Sequence, residues 1–323
     1  MTAELSPLDI AEQVISAFPP PGEPEENDNA YVDWIQIMAE KGQSPNTIYV
    51  YAQTVSDFLR FIKKPISQIN EADIRAYSRH LQEQGKAPYT VQNYLTRVGI
   101  FLKAMGNPIN VYRFAPKSKF RVPEYLTPEE VKKFIDAIDE SILDGDEPDP
   151  ELAIMRFKAL FTLLPDTGLR VSEACNLRKV DVDFSERLIT VVKGKRNKYR
   201  KVPVSKGTLE LIQKYWGMRK DKLPFAFEYK GRKLDRMSVW RFTREIAHKA
   251  GIDKVTRTHG ENIHPHIFRH TFATVELKRL INSGKNRMDA ILVIKEALGH
   301  TDIRTTMIYL TLLGEDIRDI MGR

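Results

Sequence analysis

The chain has 323 residues, 42% of them hydrophobic, and a formal net charge of +7 from 50 lysines and arginines against 43 acids. That length admits two domains and a sizeable core; the lone Cys175 rules out an internal disulfide and a cysteine metal cluster; and the absence of a long apolar run or a basic, apolar leader leads us to expect a cytoplasmic protein with no membrane partner. The first thirty residues hold Glu4, Asp9, Glu12, Glu23, Glu25, Glu26 and Asp28 and no lysine or arginine, so the remainder carries about +14 and suits a polyanionic partner, nucleic acid before membrane.

Residues 1–28, with "FPPPGEPEENDN", read as an acidic, poorly ordered arm with room for a short helix from Pro7 to Ser16. Four helical patterns come next, "AYVDWIQIMAEKG", "SPNTIYVYAQTVSDFLRFI", "NEADIRAYSRHLQEQG" and "APYTVQNYLTRVGIFLKAMG", which predict a helical domain over 29–106. Two of them share Pro-x-Thr-[Ile/Val]-x-x-Tyr-x-x-x-Val-x-x-Phe-Leu, from Pro45 to Leu59 and from Pro88 to Leu102. The apolar positions fit two similar helices on one core. Thr47 and Thr90 fall near helix starts, where they can cap or meet phosphates.

Residues 107–126, with several prolines and basic residues, predict a linker, and "TPEEVKKFIDAI" opens a helix capped by Thr127 with Pro128 in its first turn. The domain over 127–323 continues through an acidic loop, "ESILDGDEPDPE", and a helical stretch, "MRFKALFTLLPDTGLRVSEACNL". The period then changes in "KVDVDFSERLITVVKG" and "YRKVPVS", which predict a three-stranded antiparallel sheet, with helices again from Thr208 to the end. The fold expected is mainly α: a helical N-terminal domain and a larger mixed domain of helices with a small sheet.

The residues able to do chemistry lie in the second part. Arg170 and Glu173 are three apart and can pair on one helical face. His266, Arg269 and His270 gather on another, where Arg269 argues against a zinc site through the two histidines. The turn "VKGKRNKYRK" raises Lys193, Lys195, Arg196, Lys198, Arg200 and Lys201, most of which a solvated basic hairpin would explain. Cys175 reads as a core thiol. Tyr309, beside Met307, Ile308 and Leu310, could be a packing residue with a satisfied hydroxyl. Together with His300, however, this inventory suits attack on a phosphodiester.

The motifs "TGLRVSE", "GKRNKYRKVPV", "HPHIFRHTFAT" and "LGHTDIRTTMIY", in this order, resemble the tyrosine recombinases of the phage-integrase and Xer type, over about residues 29–323. The resemblance implies a core-binding domain ahead of a catalytic domain that recombines double-stranded DNA at specific sites, as a homo-tetramer on two duplexes and a monomer or dimer when free. It makes Arg170, Lys195, His266, Arg269, His300 and Tyr309 the catalytic residues, with Glu173 and His270 in support. Arg196, Lys198, Thr47 and Thr90 become candidate DNA contacts. A type IB topoisomerase-like enzyme would share the chemistry, and a DNA-binding regulator with a decayed site would share the fold. The intact catalytic set and the compact helical domain favour recombination. The segment between Val275 and His300 is longer than usual by several residues. The tail after Tyr309, "LTLLGEDIRDIMGR", is enough for one short helix, which docks on a neighbouring subunit in relatives and could equally bury its apolar face on its own domain.

The chemistry is consistent with that resemblance. Two guanidiniums can grip the non-bridging oxygens of a phosphodiester as charge builds on them, and His300 can donate a third hydrogen bond. A tyrosine hydroxyl ionises near a pKa of about 10, so a base is needed to take its proton, and His266 is the expected one. A phosphotyrosine conserves the energy of the diester, so neither metal nor cofactor is expected.

Overall fold

The computed structural model describes residues 6–22, 24–117, 123–145, 147–193, 198–252 and 263–310. The chain divides into two compact units, Met1–Phe120 and Arg121–Arg323.

The first unit is a helical bundle of α1 (Pro7–Ala17), α2 (Glu25–Glu40), α3 (Pro45–Ile62), α4 (Glu71–Glu83) and α5 (Pro88–Ala104). Over the described residues 6–22 and 24–28, the expectation of a poorly ordered arm is corrected, and the short helix allowed for there is present. Ser6 and Asp9 close a capping box with Pro7 in the first turn, and α1 buries Ala11 and Val14 against the core of α2 and α3. The proline run after it is tied down: the Tyr31 hydroxyl donates to the Phe18 carbonyl at 2.9 Å, while Ser56 and Arg60 donate to that of Pro19 at 3.1 and 2.8 Å. Composition favoured disorder, yet these backbone carbonyls find donors on the bundle.

The related patterns become α3 and α5. Ile48, Val55, Phe58 and Leu59 of one, and Val91, Val98, Phe101 and Leu102 of the other, are all fully buried. Ser44 caps α3 through the Thr47 amide, and the Thr47 hydroxyl bonds back to Ser44 at 2.7 Å. Helix α5 begins after Ala87, which offers its first turn no side-chain cap. The stretch expected as linker is structured at both ends, since Val111 belongs to the core of the first unit and Leu126 to that of the second.

In the second unit, α6 (Pro128–Asp136) opens on the expected Thr127 cap, with Glu130 completing a capping box. Helix α7 (Pro150–Thr167) runs through the core and packs on α9 (Lys206–Met218) and α11 (His266–Asn282). Phe134, Phe161 and Phe268 meet there with ring centroids 5.1–5.5 Å apart. Between α7 and α9 come the short α8 (Val171–Asn176) and the antiparallel sheet β1 (Val182–Asp183), β2 (Leu188–Lys193) and β3 (Lys198–Pro203), in that order. A second hairpin, β4 (Glu228–Tyr229) with β5 (Arg232–Lys233), departs from the all-helical reading after Thr208. Its turn residues Lys230 and Gly231 both have positive φ, 48° and 73°, as a tight two-residue hairpin requires. Buried Arg156 of α7 holds it by donating to Glu228 at 2.7 Å.

Helices α10 (Arg236–Lys249), α11 and α12 (Arg287–Leu298) complete the unit, with a last helical stretch over 304–310. The long segment after the second motif forms the later part of α11, a turn and α12. Phe272, Leu277, Ile291, Ile294, Leu298 and Tyr309 build a separate small core where these helices meet. Among the described residues, no helix is long and apolar enough to cross a membrane.

Candidate active site

Three helix ends converge on the residues singled out by the sequence. Helix α7 stops at Gly168, whose φ of 62° lets the chain turn sharply into α8. Space demands glycine as well, because a Cβ there would lie 2.4 Å from Phe272 Cδ1 and 2.9 Å from Leu298 Cδ2. The turn puts Arg170 at the N-cap of α8, one residue earlier than a place on the helical face. Glu173 accepts from the Arg170 amide at 2.8 Å and from its guanidinium at 3.0 Å, leaving the arginine side chain partly open to solvent. Burial alone would raise the Glu173 carboxyl, but the Arg200 guanidinium and the Arg170 amide outweigh it and hold the group at about 2.

Arg269 is 1% exposed, carried by α11 between α7 and α12. It donates to the Gly168 carbonyl at 2.7 Å and to the Leu298 carbonyl at 2.6 Å. Both acceptors are helix C-terminal carbonyls that the helix itself cannot satisfy, and the dipole there favours a cation. Burial, and then Arg170, lower its pKa to about 10, so it stays charged at neutral pH.

Helix α12 ends on Gly299 at φ 64°, and the His300 amide donates back to the Lys295 carbonyl at 3.0 Å. That closure fixes His300, whose Nδ1 lies 2.9 Å from the Thr306 hydroxyl. If the hydroxyl donates, Nε2 keeps its proton and can donate onward. Burial, then Arg269 and Arg170, push the imidazole down to about 4.

Tyr309 is 2% exposed in the small core, and its hydroxyl lies 2.9 Å from Nδ1 of His270. The structure places His270, rather than the expected His266, at this hydroxyl; His266 sits in the first turn of α11, its ring edge-on to that of His270 at 4.7 Å. In the tautomer with its proton on Nε2, His270 can accept the phenol hydrogen bond. Burial pushes the Tyr309 hydroxyl up to about 12 against the pull of Arg269, while burial and the neighbouring histidines push His270 down to about 3. His266 is lowered too, by desolvation and by Arg269.

The structure thus gathers Arg170, Glu173, His266, Arg269, His270, His300 and Tyr309. Lys195 and Arg196, and the side chain of Lys198, lie outside the described residues. Thr47 and Thr90 belong to the first unit, in the opening turns of α3 and α5. Among the described residues, no group of three or more His, Cys, Asp or Glu side chains is arranged to hold a metal ion.

Sequence reasoning missed Arg200, grouped with the solvated hairpin. Its side chain is 10% exposed and donates through both terminal nitrogens to Glu173, at 2.9 and 2.8 Å, and through Nε to the Ala297 carbonyl at 2.8 Å. The signal was the strand period: buried Val202 and Val204 share parity with Arg200, and alternate residues line one face.

Residues 124–315 match the model of the phage integrase family, and residues 31–106 match its N-terminal SAM-like domain. Tyrosine recombinase XerA of Pyrococcus furiosus is 36% identical over 212 residues, which is 64% of this chain and 64% of that protein. The chain therefore aligns with just under two thirds of that relative's length. A tyrosine recombinase of Thermosipho africanus is 31% identical over 292 residues, 87% of this chain and 93% of that protein. In fold, the chain is similar to a crystal structure of the XerH site-specific recombinase bound to a palindromic difH substrate, a post-cleavage complex, with TM-score 0.67, 19% identity, and coverage of 97% of this chain and 93% of that one.

Proposed function

Because the chain belongs to the phage integrase family, the tyrosine recombinases, we propose that it is a site-specific recombinase that cuts and rejoins double-stranded DNA through Tyr309. The observation that carries this is the buried Tyr309 hydroxyl, 2.9 Å from an imidazole nitrogen and within the electrostatic reach of Arg269. His270, held neutral by burial and the neighbouring histidines, presents a ring nitrogen to that hydroxyl.

The phenol oxygen attacks the scissile phosphorus and its proton passes to His270 Nδ1. The bond from phosphorus to the 5′-oxygen breaks, and Lys195 supplies the proton that oxygen needs. The product is a 3′-phosphotyrosine, still a diester, and a free 5′-hydroxyl. Attack by the same or a partner strand's hydroxyl reverses each step. Arg170 and Arg269 neutralise charge on the non-bridging oxygens, and His300 donates through Nε2. No external energy source enters, because one diester replaces another.

The substrate class is supported by the basic chain and by the DNA-bound fold relative. We assign the N-terminal unit to core-site binding, with the uncapped start of α5 at Thr90 a better phosphate contact than Thr47, whose turn Ser44 already caps. Arg196 and Lys198 on the hairpin turn are further candidate contacts. The working form is a homo-tetramer on two duplexes in the cytoplasm.

The test begins with a duplex selected by the protein from a randomised pool, then nicked at successive positions to trap cleavage. Wild-type protein should give a denaturant-resistant DNA adduct with one of them. Tyr309→Phe should give none while binding within about twofold of wild type, since it removes one hydroxyl and little packing. An adduct from Tyr309→Phe would return Tyr309 to a packing role.

A further inference from the structure

Three of the five N–H donors of Arg200 are used on two different elements. Its two terminal nitrogens take both oxygens of Glu173 in a fork-to-fork pair, the geometry in which arginine fixes a carboxylate's orientation as well as its charge. Its Nε takes the Ala297 carbonyl in the last turn of α12. The next carbonyl, of Leu298, holds Arg269, and the chain then turns at Gly299 to place His300. Glu173, on its other side, holds the amide and guanidinium of Arg170. Arg200 also lies on β3 opposite Val191 of β2, two residues beyond the Lys193–Lys198 pair that closes the hairpin. One side chain therefore ties the strand leading from the lysine-bearing turn to the helix end that positions Arg269 and His300, and to the carboxylate that positions Arg170.

Without Arg200, Glu173 would face Arg170 as its only guanidinium. The freed carboxylate oxygen would draw Arg170 into a closer pair and turn its donors away from an incoming phosphate. The Ala297 carbonyl would lose its bond at the same time.

On the recombinase reading above, we propose that Arg200 is a positioning residue of strand cleavage: it aims Arg170 through Glu173 and clamps the end of α12 that sets Arg269 and His300, without touching the scissile phosphate.

The experiment uses the full chain and the nicked duplex that yields adducts with wild-type protein. Arg200→Ala should slow single-turnover cleavage by about 30-fold or more with DNA affinity within about threefold of wild type, because the loss falls on the transition state. Arg200→Lys, which keeps the charge but not the fork, should fall between them. The double variant Arg200→Ala, Glu173→Gln should be no slower than the slower single variant, since the two act in series.

A second substrate carries a methyl in place of one non-bridging oxygen of the scissile phosphate. It lacks the charge that Arg170 neutralises, so the defects of Arg200→Ala and Arg170→Ala should both shrink on it by about tenfold relative to wild type. A loosened fold would slow cleavage of both substrates alike. Cleavage by Arg200→Ala at the wild-type rate, or an equal loss on both substrates with a lowered melting temperature, would overturn the assignment alone. A wild-type protein that forms no adduct with any nicked duplex overturns the functional reading and this assignment with it.

Discussion

The hydrogen bond between Tyr309 and His270 joins two groups whose ionisation is suppressed in the free protein, the hydroxyl near 12 and the imidazole near 3. Burial is the main cause in both, since it disfavours the phenolate and the imidazolium alike. The same burial gives a pH signature. Unfolded histidines bind a proton near pH 6.5, whereas folded His270 does so near 3 and His300 near 4. Between those values the unfolded chain holds protons that the folded chain lacks, so their contribution to stability is complete above about pH 6.5 and is lost as pH falls, through about 4 for His300 and about 3 for His270. Thermal melts should show a plateau near neutrality and a fall below it, and His270→Gln should make that fall shallower. An unchanged slope in that variant would mean that His270 charges in the folded protein.

At the scale of elements, the site is an assembly of helix ends. The C-termini of α7 and α12 offer carbonyls at Gly168, Ala297 and Leu298, and guanidiniums fill them. Gly168 is the joint on which this depends. An alanine there would meet the left-handed backbone penalty of about 1–2 kcal/mol. It would also overpack Phe272 and Leu298, a further cost of about 1–3 kcal/mol. Denaturant melts should register the sum, and cleavage should fall further than stability explains because the Arg269 anchor moves. Stability within about 0.5 kcal/mol of wild type, the range of neutral surface changes, would show that the joint can relax.

For the whole molecule, charge is the readable property. A net +7 that conceals a more basic body beyond the acidic first thirty residues should bind DNA by displacing counterions. Affinity measured across salt concentrations should fall on a log–log line with a slope steeper than about −5, reflecting six or so neutralised phosphates. A flat dependence would point to a contact that is not electrostatic and would count against duplex DNA as ligand.

The residue types and their order were legible in the chain itself. Three motifs named Arg170, Glu173, His266, Arg269, His300 and Tyr309 without any tertiary information, and helix caps such as Ser44 and Thr127 stand where local hydrogen bonding put them. These depend on interactions within a few residues, which a linear pattern carries. Helix α1 carried such signals too, in Ser6, Pro7 and Asp9, but proline and acid content outweighed them because its burial depends on partners in α2 and α3. The two-residue strands β4 and β5 are too short for any period to register. Which histidine meets Tyr309 could not be read at all: His266 and His270 share a helical face, and only the packing of α11 against the helix that carries Tyr309, 39 residues further on, selects His270. Arg200 lies between these cases. Strand parity determined that it points inward, while the tertiary structure decided what it meets there, because its partners Glu173 and Ala297 lie 27 residues before it and 97 after it and come together only when two helix ends pack on the sheet.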